Sequence, residues 1–265
     1  MLHLLRARFQ QGFRTVAYPA QPPALPDRFR GLPALDPTRC PPGCASCVEA
    51  CGASALTAGP AGPRLDLGRC LFCPDCVEAC PAGAIRFTPD HRLSVRRRED
   101  LLLGPETLRL AEALDAKMRG LFGRSLKLRQ VSAGGCNACE ADVNVLNTIV
   151  FDLGRFGIGF VASPRHADGL LVTGPVTENM RTALKETYDA VPAPKLVIAV
   201  GACAISGGPF AGHAEVHGGA ASQVPVDLFI PGCPPHPVTI LDGLLRLLGR
   251  LEEPRAEEPR VATAP

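Results

Sequence analysis

Short, nearly unbroken apolar runs separated by helix-length stretches fill the second half of the chain. The segments "LKLRQV" (126–131), "IGFVAS" (158–163), "GLLVTG" (169–174), "KLVIAVG" (195–201) and "VDLFIPG" (226–232) read as strands. All but the first lack the alternation of a half-solvated strand, as expected when both faces of a parallel sheet are covered. Segments 140–154, 177–190 and 237–251 read as helices. Strands alternating with helices predict an α/β domain of flavodoxin-like or doubly wound type, with helices on both faces of a parallel sheet.

Upstream the pattern is different. "PETLRLAEALDAKMRGLFG" spaces Leu108, Ala111, Leu114, Met118 and Leu121 at helical intervals between charges, which predicts an amphipathic helix joining two domains. Residues 16 to 42 are Pro-rich and break regular structure, because Pro fixes φ and lacks the amide donor. The opening "MLHLLRARFQQGFRT" reads as a short basic amphipathic helix, and the terminal "EEPRAEEPRVATAP" as disordered. Between them "CASCVEACGASALT" is echoed by "CPDCVEACPAGAIRFT" about 29 residues later, an internal duplication. The expected divisions are a basic and Pro-rich arm (1–38), a ferredoxin-like α+β domain (39–100), a helical linker (101–124), the sheet domain (125–251) and a tail (252–265).

Composition narrows the classes. The chain has 265 residues, 46% of them hydrophobic, enough for one large or two modest cores. "LLLGPETL" and "LVIAVGACAI" fall short of the roughly 18 to 20 apolar residues a membrane-spanning helix needs. A formal net charge of +2, two Tyr and no Trp give no footprint for nucleic acid. The expected location is cytoplasmic, a reducing compartment in which dense cysteines bind metal rather than form disulfides.

Twelve cysteines carry the chemistry. The first run is Cys40, Cys44, Cys47 and Cys51; the second is Cys70, Cys73, Cys76 and Cys80, followed by Pro81. The second run is C-x₂-C-x₂-C-x₃-C-P, in which three close thiolates wrap one corner of an iron–sulfur cubane and the fourth reaches the other cluster. Cys40, Cys44, Cys47 and Cys80 are therefore expected to hold one [4Fe–4S] cluster, and Cys70, Cys73, Cys76 and Cys51 a second. Structural zinc favours two separated pairs closing one tetrahedron, which this spacing does not offer. Two departures stand in the first run: "CPPGC" has one residue more than usual, and Gly52 replaces Pro. No ligand is lost, so neither site is expected to be a three-iron cluster.

Cys136, Cys139, Cys203 and Cys233 each fall just past the end of an expected strand. Those ends share one edge of an open parallel sheet, where ligands collect. A dithiol at "CNAC" would leave Cys203 and Cys233 idle, and an FMN site needs a hydroxyl-rich phosphate loop where this chain has cysteines. Gly134, Gly135, Gly201, Gly207, Gly208 and Gly232 suit loops that wrap a cofactor closely, and Pro231, Pro234 and Pro235 stiffen the last one. A third [4Fe–4S] cluster uses all twelve cysteines.

The series "GGCNACE", "RFGIGFVASPRHADGLLVTGPVTENM", "PAPKLVIAVGACAISGGPF" and "PVDLFIPGCPPHP" resembles the small-subunit family shared by [NiFe] hydrogenases and the 20-kDa-type subunit of respiratory complex I, over roughly residues 125 to 250. The part around "LLRARFQQGFRTVAYP" and "FRGLPALDP" resembles the ferredoxin-like subunit of formate hydrogenlyase and hydrogenase-4 complexes, so the chain looks like a fusion of the two. Complex I members carry adjacent cysteines where this chain has "CNAC", which favours the membrane-associated, group 4 hydrogenase branch. The resemblance implies an electron-transfer subunit of an oxidoreductase complex, with no H₂ site of its own and the Ni–Fe centre on a separate large subunit. It also implies membrane-arm partners, a peripheral place on the inner face of the cell membrane, and coupling to formate or carbon monoxide dehydrogenase. A quinone-reducing, complex I-like module without nickel is the alternative, and an independent polyferredoxin a third. The family's proximal-cluster ligands map onto Cys136, Cys139, Cys203 and Cys233. Glu140 matches an acidic position beside that cluster, where it would move protons or, more simply, favour the N-terminus of the following helix. Arg155, Arg165 and His166 match "RFG" and "SPRxAD" segments, which implies that they shape the large-subunit interface, hydrogen-bond near the cluster, or serve the structure alone.

Overall fold

The first module is built twice from the same small parts. The computed structural model describes residues 2–60, 62–104 and 108–251, so the tail beyond 251 lies outside the described residues. Helix α1 (Leu2–Gln11) buries none of its residues, and the arm that follows is irregular. Then come β1 (Pro33–Leu35), α2 (Ser46–Glu49), β2 (Leu56–Thr57), β3 (Arg64–Asp66), α3 (Asp75–Glu78), β4 (Ile85–Phe87) and β5 (Leu102–Leu103). Strand β1 pairs antiparallel with β4, and β3 lies between β2 and β5, antiparallel to both. The duplication shows in the backbone: Ser54 and Gly83, equivalent positions after the fourth cysteine of each run, both take left-handed φ, 49° and 57°.

The linker is not the continuous helix its periodicity predicts. Only α4 (Ala116–Phe122) is helical, started by Asp115, whose side chain accepts from the Met118 amide at 2.9 Å. Upstream, the Ala111 amide bonds to the Ser94 carbonyl at 2.7 Å and the Leu114 amide to the Leu247 carbonyl at 2.9 Å. Those cross-chain bonds replace helical ones, yet Ala111 and Leu114 still reach the core. Residues 105–107 of the expected helix lie outside the described ones.

The second module has β6 (Leu126–Ser132), α5 (Ala138–Val145), β7 (Ile158–Phe160), β8 (Gly169–Thr173), α6 (Glu178–Ala190), β9 (Leu196–Val200), α7 (Ala202–Ser206), β10 (Leu228–Ile230) and α8 (Pro237–Leu247). Its five strands are all parallel, in the order β10-β9-β8-β6-β7. Numbered within the domain from β6, that is 2-1-3-4-5 read from the β7 edge, the flavodoxin-like order, with the topological switch point between β6 and β8. Helix α5 stops well before the expected residue 154. The Thr148 hydroxyl donates to the Val145 carbonyl at 2.8 Å, Asp152 turns left-handed, and a 3₁₀ turn (Leu153–Phe156) follows.

Period-two alternation sends the sheet's side chains into two cores. One face gives Leu128, Leu171, Ile198 and Ile230 to a core shared with α8; the other gives Val131, Val172, Ala199 and Phe229 to a core shared with the first module's Leu65, Leu67 and Leu101. Val95 forms an antiparallel bridge with Phe229. The first module thereby covers the free edge of β10. All eleven residues of α8 are buried, because Tyr18 from the arm and Ala111 and Leu114 from the linker cover its outer side.

Candidate metal–sulfur sites

The two N-terminal runs interlock through their fourth cysteines. Cys40, Cys44, Cys47 and Cys80 line one cavity. Burial raises the Cys47 thiol, and neighbouring Cys80, Cys40 and Cys44 raise it further. Burial likewise pushes Cys70 up to about 12, with Cys76, Cys73 and Cys51 adding to the rise. The structure thus sets Cys80 among the first run and Cys51 among the second, the exchange that a two-cluster spacing requires. Pairs of backbone bonds repeat between the halves: the Ala55 amide donates to Cys51 Sγ at 3.3 Å and the Ala84 amide to Cys80 Sγ at 3.2 Å. Around Cys80 burial acts to raise the thiol, but amides from Ala84, Ile85, Ala82 and Gly83 hold it below its ordinary value. The extra residue of "CPPGC" is absorbed in a turn closed by the Cys44 amide on the Pro41 carbonyl, with Gly43 left-handed in open space. The shorter second run turns instead at Phe72, whose φ of 56° aims its amide at Cys70 Sγ, 3.4 Å away.

The third group gathers at the carboxyl edge of the parallel sheet. Cys136 and Cys139 follow β6, Cys203 lies in α7 directly after β9, and Cys233 follows β10. Burial pushes Cys203 up to about 11, with Cys233, Cys136 and the Glu140 charge adding, and raises Cys139 further still. With burial and neighbouring thiols all acting to raise these two groups, coordination to a metal is what would hold them as thiolates. The loop backbone is cut back to make room. A Cβ at Gly201 would stand 2.5 Å from Cys139 Sγ, and one at Gly208 would stand 2.7 Å from Cys203 Sγ. Among the described residues no three His, Cys, Asp or Glu side chains converge as the ligands of a single metal ion do. Three groups of four thiols, with backbone N–H donors aimed at Cys51, Cys70 and Cys80 in the first two, have the donor chemistry of iron–sulfur clusters.

The second group neighbours each of the other two. Cys76 of the second group feels the charge of Cys47 in the first. Cys233 of the third feels Cys73 of the second, and both line one cavity.

Glu140 lies at the switch point, in the first turn of α5, and is buried. Its Oε1 accepts from Ser132 Oγ at 2.5 Å and Thr173 Oγ1 at 2.7 Å, from the ends of β6 and β8. Burial works to raise this carboxyl, but the two hydroxyls hold it below its ordinary value. The arrangement is a fixed negative charge beside Cys139. Arg155 has a structural role of the kind allowed for: its Nη2 donates to the Val16 and Tyr18 carbonyls of the arm, both at 2.8 Å. Arg165 and His166 are exposed on the crossover before β8, level with the early half of β6 and away from the cysteine edge. Sequence reasoning missed the arm's part altogether. Its one local signal was Asp242 and Arg246, a charged pair one turn apart in the apolar run "ILDGLLRLLG".

The family model described as "NADH ubiquinone oxidoreductase, 20 Kd subunit" matches residues 136–247. The chain is 47% identical to formate hydrogenlyase subunit 7 of Escherichia coli over 53% of this chain and 55% of that one. It is 42% identical to a probable membrane-bound hydrogenase subunit of Pyrococcus furiosus over 51% of this chain and 81% of that one. It is 43% identical to an NADH-quinone oxidoreductase subunit of Clostridium beijerinckii, over 46% of this chain and 72% of that one. The chain thus spans about half the length of the formate hydrogenlyase subunit it matches.

Proposed function

The chain belongs to the family of the 20 Kd subunit of NADH ubiquinone oxidoreductase, and from that premise we propose that it is the electron-transfer subunit of a hydrogenase-like oxidoreductase complex. In this reading it carries three [4Fe–4S] clusters, held by Cys40, Cys44, Cys47 and Cys80, by Cys70, Cys73, Cys76 and Cys51, and by Cys136, Cys139, Cys203 and Cys233. Bound there, a cluster supplies reversible one-electron chemistry. The observation that carries the reading is the line of thiol groups, joined at Cys47 and Cys76 and again at Cys73 and Cys233.

The chain's own residues then have definite work. Amides of Ala55, Phe72 and Ala84 stabilise negative charge on sulfur. Glu140 sets a permanent charge at the third group, and Gly201 and Gly208 keep its loops clear. Cys136 and Cys233 are exposed, which suits docking of a Ni–Fe-bearing large subunit over that edge. Among the described residues no helix is long and apolar enough to cross a membrane. Attachment to the inner face of the cell membrane would come through membrane-arm partners, to which the unburied α1 is open. The ferredoxin-like portion, residues 39–100, would exchange electrons with a donor or acceptor such as formate or carbon monoxide dehydrogenase, and residues 125–251 with the large subunit.

"CNAC" in place of adjacent cysteines favours this reading over a quinone-reducing module without nickel. Isolating the chain anaerobically with its bound partners, and measuring nickel against iron together with H₂-dependent viologen reduction, separates the two. Nickel with hydrogen activity supports the hydrogenase reading; a stable iron-containing complex without nickel overturns it in favour of the quinone-linked one.

A further inference from the structure

We propose that Arg28 and Arg30 of the N-terminal arm, anchored by Phe29, set the reduction potential at the junction between the second and third cysteine groups. The inference rests on the reading that both groups carry iron–sulfur clusters.

The junction is a cavity lined by Cys73 on one side and Cys233 on the other, and the arm supplies part of its wall through Arg28, Phe29 and Arg30. Phe29 packs edge-on against His236, ring centroids 5.5 Å apart and planes at 83°. His236 is itself fixed, since its Nδ1 accepts the Val238 amide at 3.2 Å as the cap of α8. Arg30 Nη1 donates to the Phe72 carbonyl at 3.1 Å. Phe72 is the left-handed residue whose amide points at Cys70 Sγ, so Arg30 braces the turn that carries the second group's first sulfur. The next residue locks the register. Gly31 donates to the Thr88 carbonyl, and a Cβ there would fall 2.2 Å from the Asp90 carbonyl oxygen.

The arm is therefore held on both modules at once, by Phe29 on α8 and by Arg30 and Gly31 on the ferredoxin-like module. The Arg30 guanidinium thus rests on Phe72, beside Cys73, and Arg28 lines the same cavity, at the place where an electron would pass from one module to the other. Asp142 is the acid in the same wall, one carboxyl against two guanidinium-bearing side chains. Reducing a four-thiolate cluster adds negative charge, and nearby cations stabilise the reduced state. Because Arg28 and Arg30 are exposed, the effect should weaken as salt screens it.

The test is an EPR-monitored potentiometric titration of the anaerobically purified complex, wild type against Arg28→Gln/Arg30→Gln, Arg30→Lys and Phe29→Ala. The double variant should lower the midpoint potential of the second or third cluster, seen as a several-fold fall in reduced fraction at fixed ambient potential. Phe29→Ala, which changes no charge, should shift the same potential in the same direction by a smaller amount, since it loosens Arg28 while Arg30 keeps its bond to the Phe72 carbonyl. Arg30→Lys should stay near wild type, and raising the ionic strength should shrink every difference. Unchanged potentials in the double variant, or a lysine variant indistinguishable from the glutamine one, would overturn the inference. Absence of the two clusters' signals from wild type would instead overturn the functional reading beneath it.

Discussion

Replacing Asp242 with Asn tests whether a buried ion pair holds the N-terminal arm on the sheet domain. Asp242 is fully shielded within α8, and its carboxylate accepts from Tyr18 Oη at 2.6 Å and from Arg246 Nε at 2.7 Å. Arg246 is itself only 6% exposed. Asn keeps the shape and one acceptor but removes the countercharge, leaving a guanidinium out of water without compensation. Breaking a buried pair from one side costs about 3–5 kcal/mol. Tyr18→Phe removes one hydrogen bond to a charged group while the Asp242–Arg246 pair survives, at about 1.5–3 kcal/mol. The double variant should cost less than the two together, with a coupling of about 0.5–3 kcal/mol, because the Tyr18 bond is already weakened once the charge is gone. Guanidinium unfolding of anaerobically purified protein, followed by far-UV circular dichroism, gives the three free energies. Amide exchange at Val16, which bonds to the Val150 carbonyl at 2.8 Å, reports release of the arm itself. A cost for Asp242→Asn below about 1 kcal/mol, or additivity within about 0.5 kcal/mol, would refute the reasoning.

Two further outcomes follow from the backbone and from burial. Ser54→Gly should raise the free energy of unfolding, by up to about 1 kcal/mol: a left-handed L-residue costs roughly 1–2 kcal/mol, of which glycine's freedom in the unfolded chain returns part. Gly83→Ser at the equivalent position should lower it. His91 is depressed by burial, so its folded pKa lies below the unfolded value of about 6.5; its contribution is whole above that pH and is lost as pH falls through the folded pKa. Thermal unfolding should therefore occur at lower temperature at pH 5.5 than at pH 7.5, and His91→Gln should flatten the difference.

What could be read from the chain beforehand was what neighbouring residues determine. Strands β8, β9 and β10 are buried over their whole lengths, and their unbroken apolar runs carry that signal without any knowledge of the partner strand. The exchange of Cys51 and Cys80 between the two runs is legible for a similar reason, since a short repeat can close on itself in few ways. The linker misled because Ala111 and Leu114 are buried by contacts to Ser94 and Leu247, and a side chain's burial carries the same hydrophobic mark in an extended segment as in a helix. Helix α7 was invisible because five residues, Ala202–Ser206, are too few for a period.

The arm was illegible for the opposite reason from the strands. Its Pro-rich composition says only that regular structure is excluded, and every contact that gives it a place is distant in sequence: Tyr18 meets Asp242 across 224 positions, and Arg155 reaches the Tyr18 carbonyl across 137. Yet those contacts bear on the site as much as the cysteine spacing does. Each cysteine group is shaped mostly by its own loops, whereas the approach of Cys73 to Cys233 depends on how two modules sit together. Tyr18, Phe29 and Arg30 lie along that seam, and Ser206 adds to it from the sheet domain by donating to the Gly68 carbonyl at 3.0 Å. A single chain that carries both modules can hold the seam in cis, with an arm fixed by a buried charge at one end and by the turn before Cys73 at the other. Loosening the arm at Asp242 should therefore be felt at the junction as well as in stability.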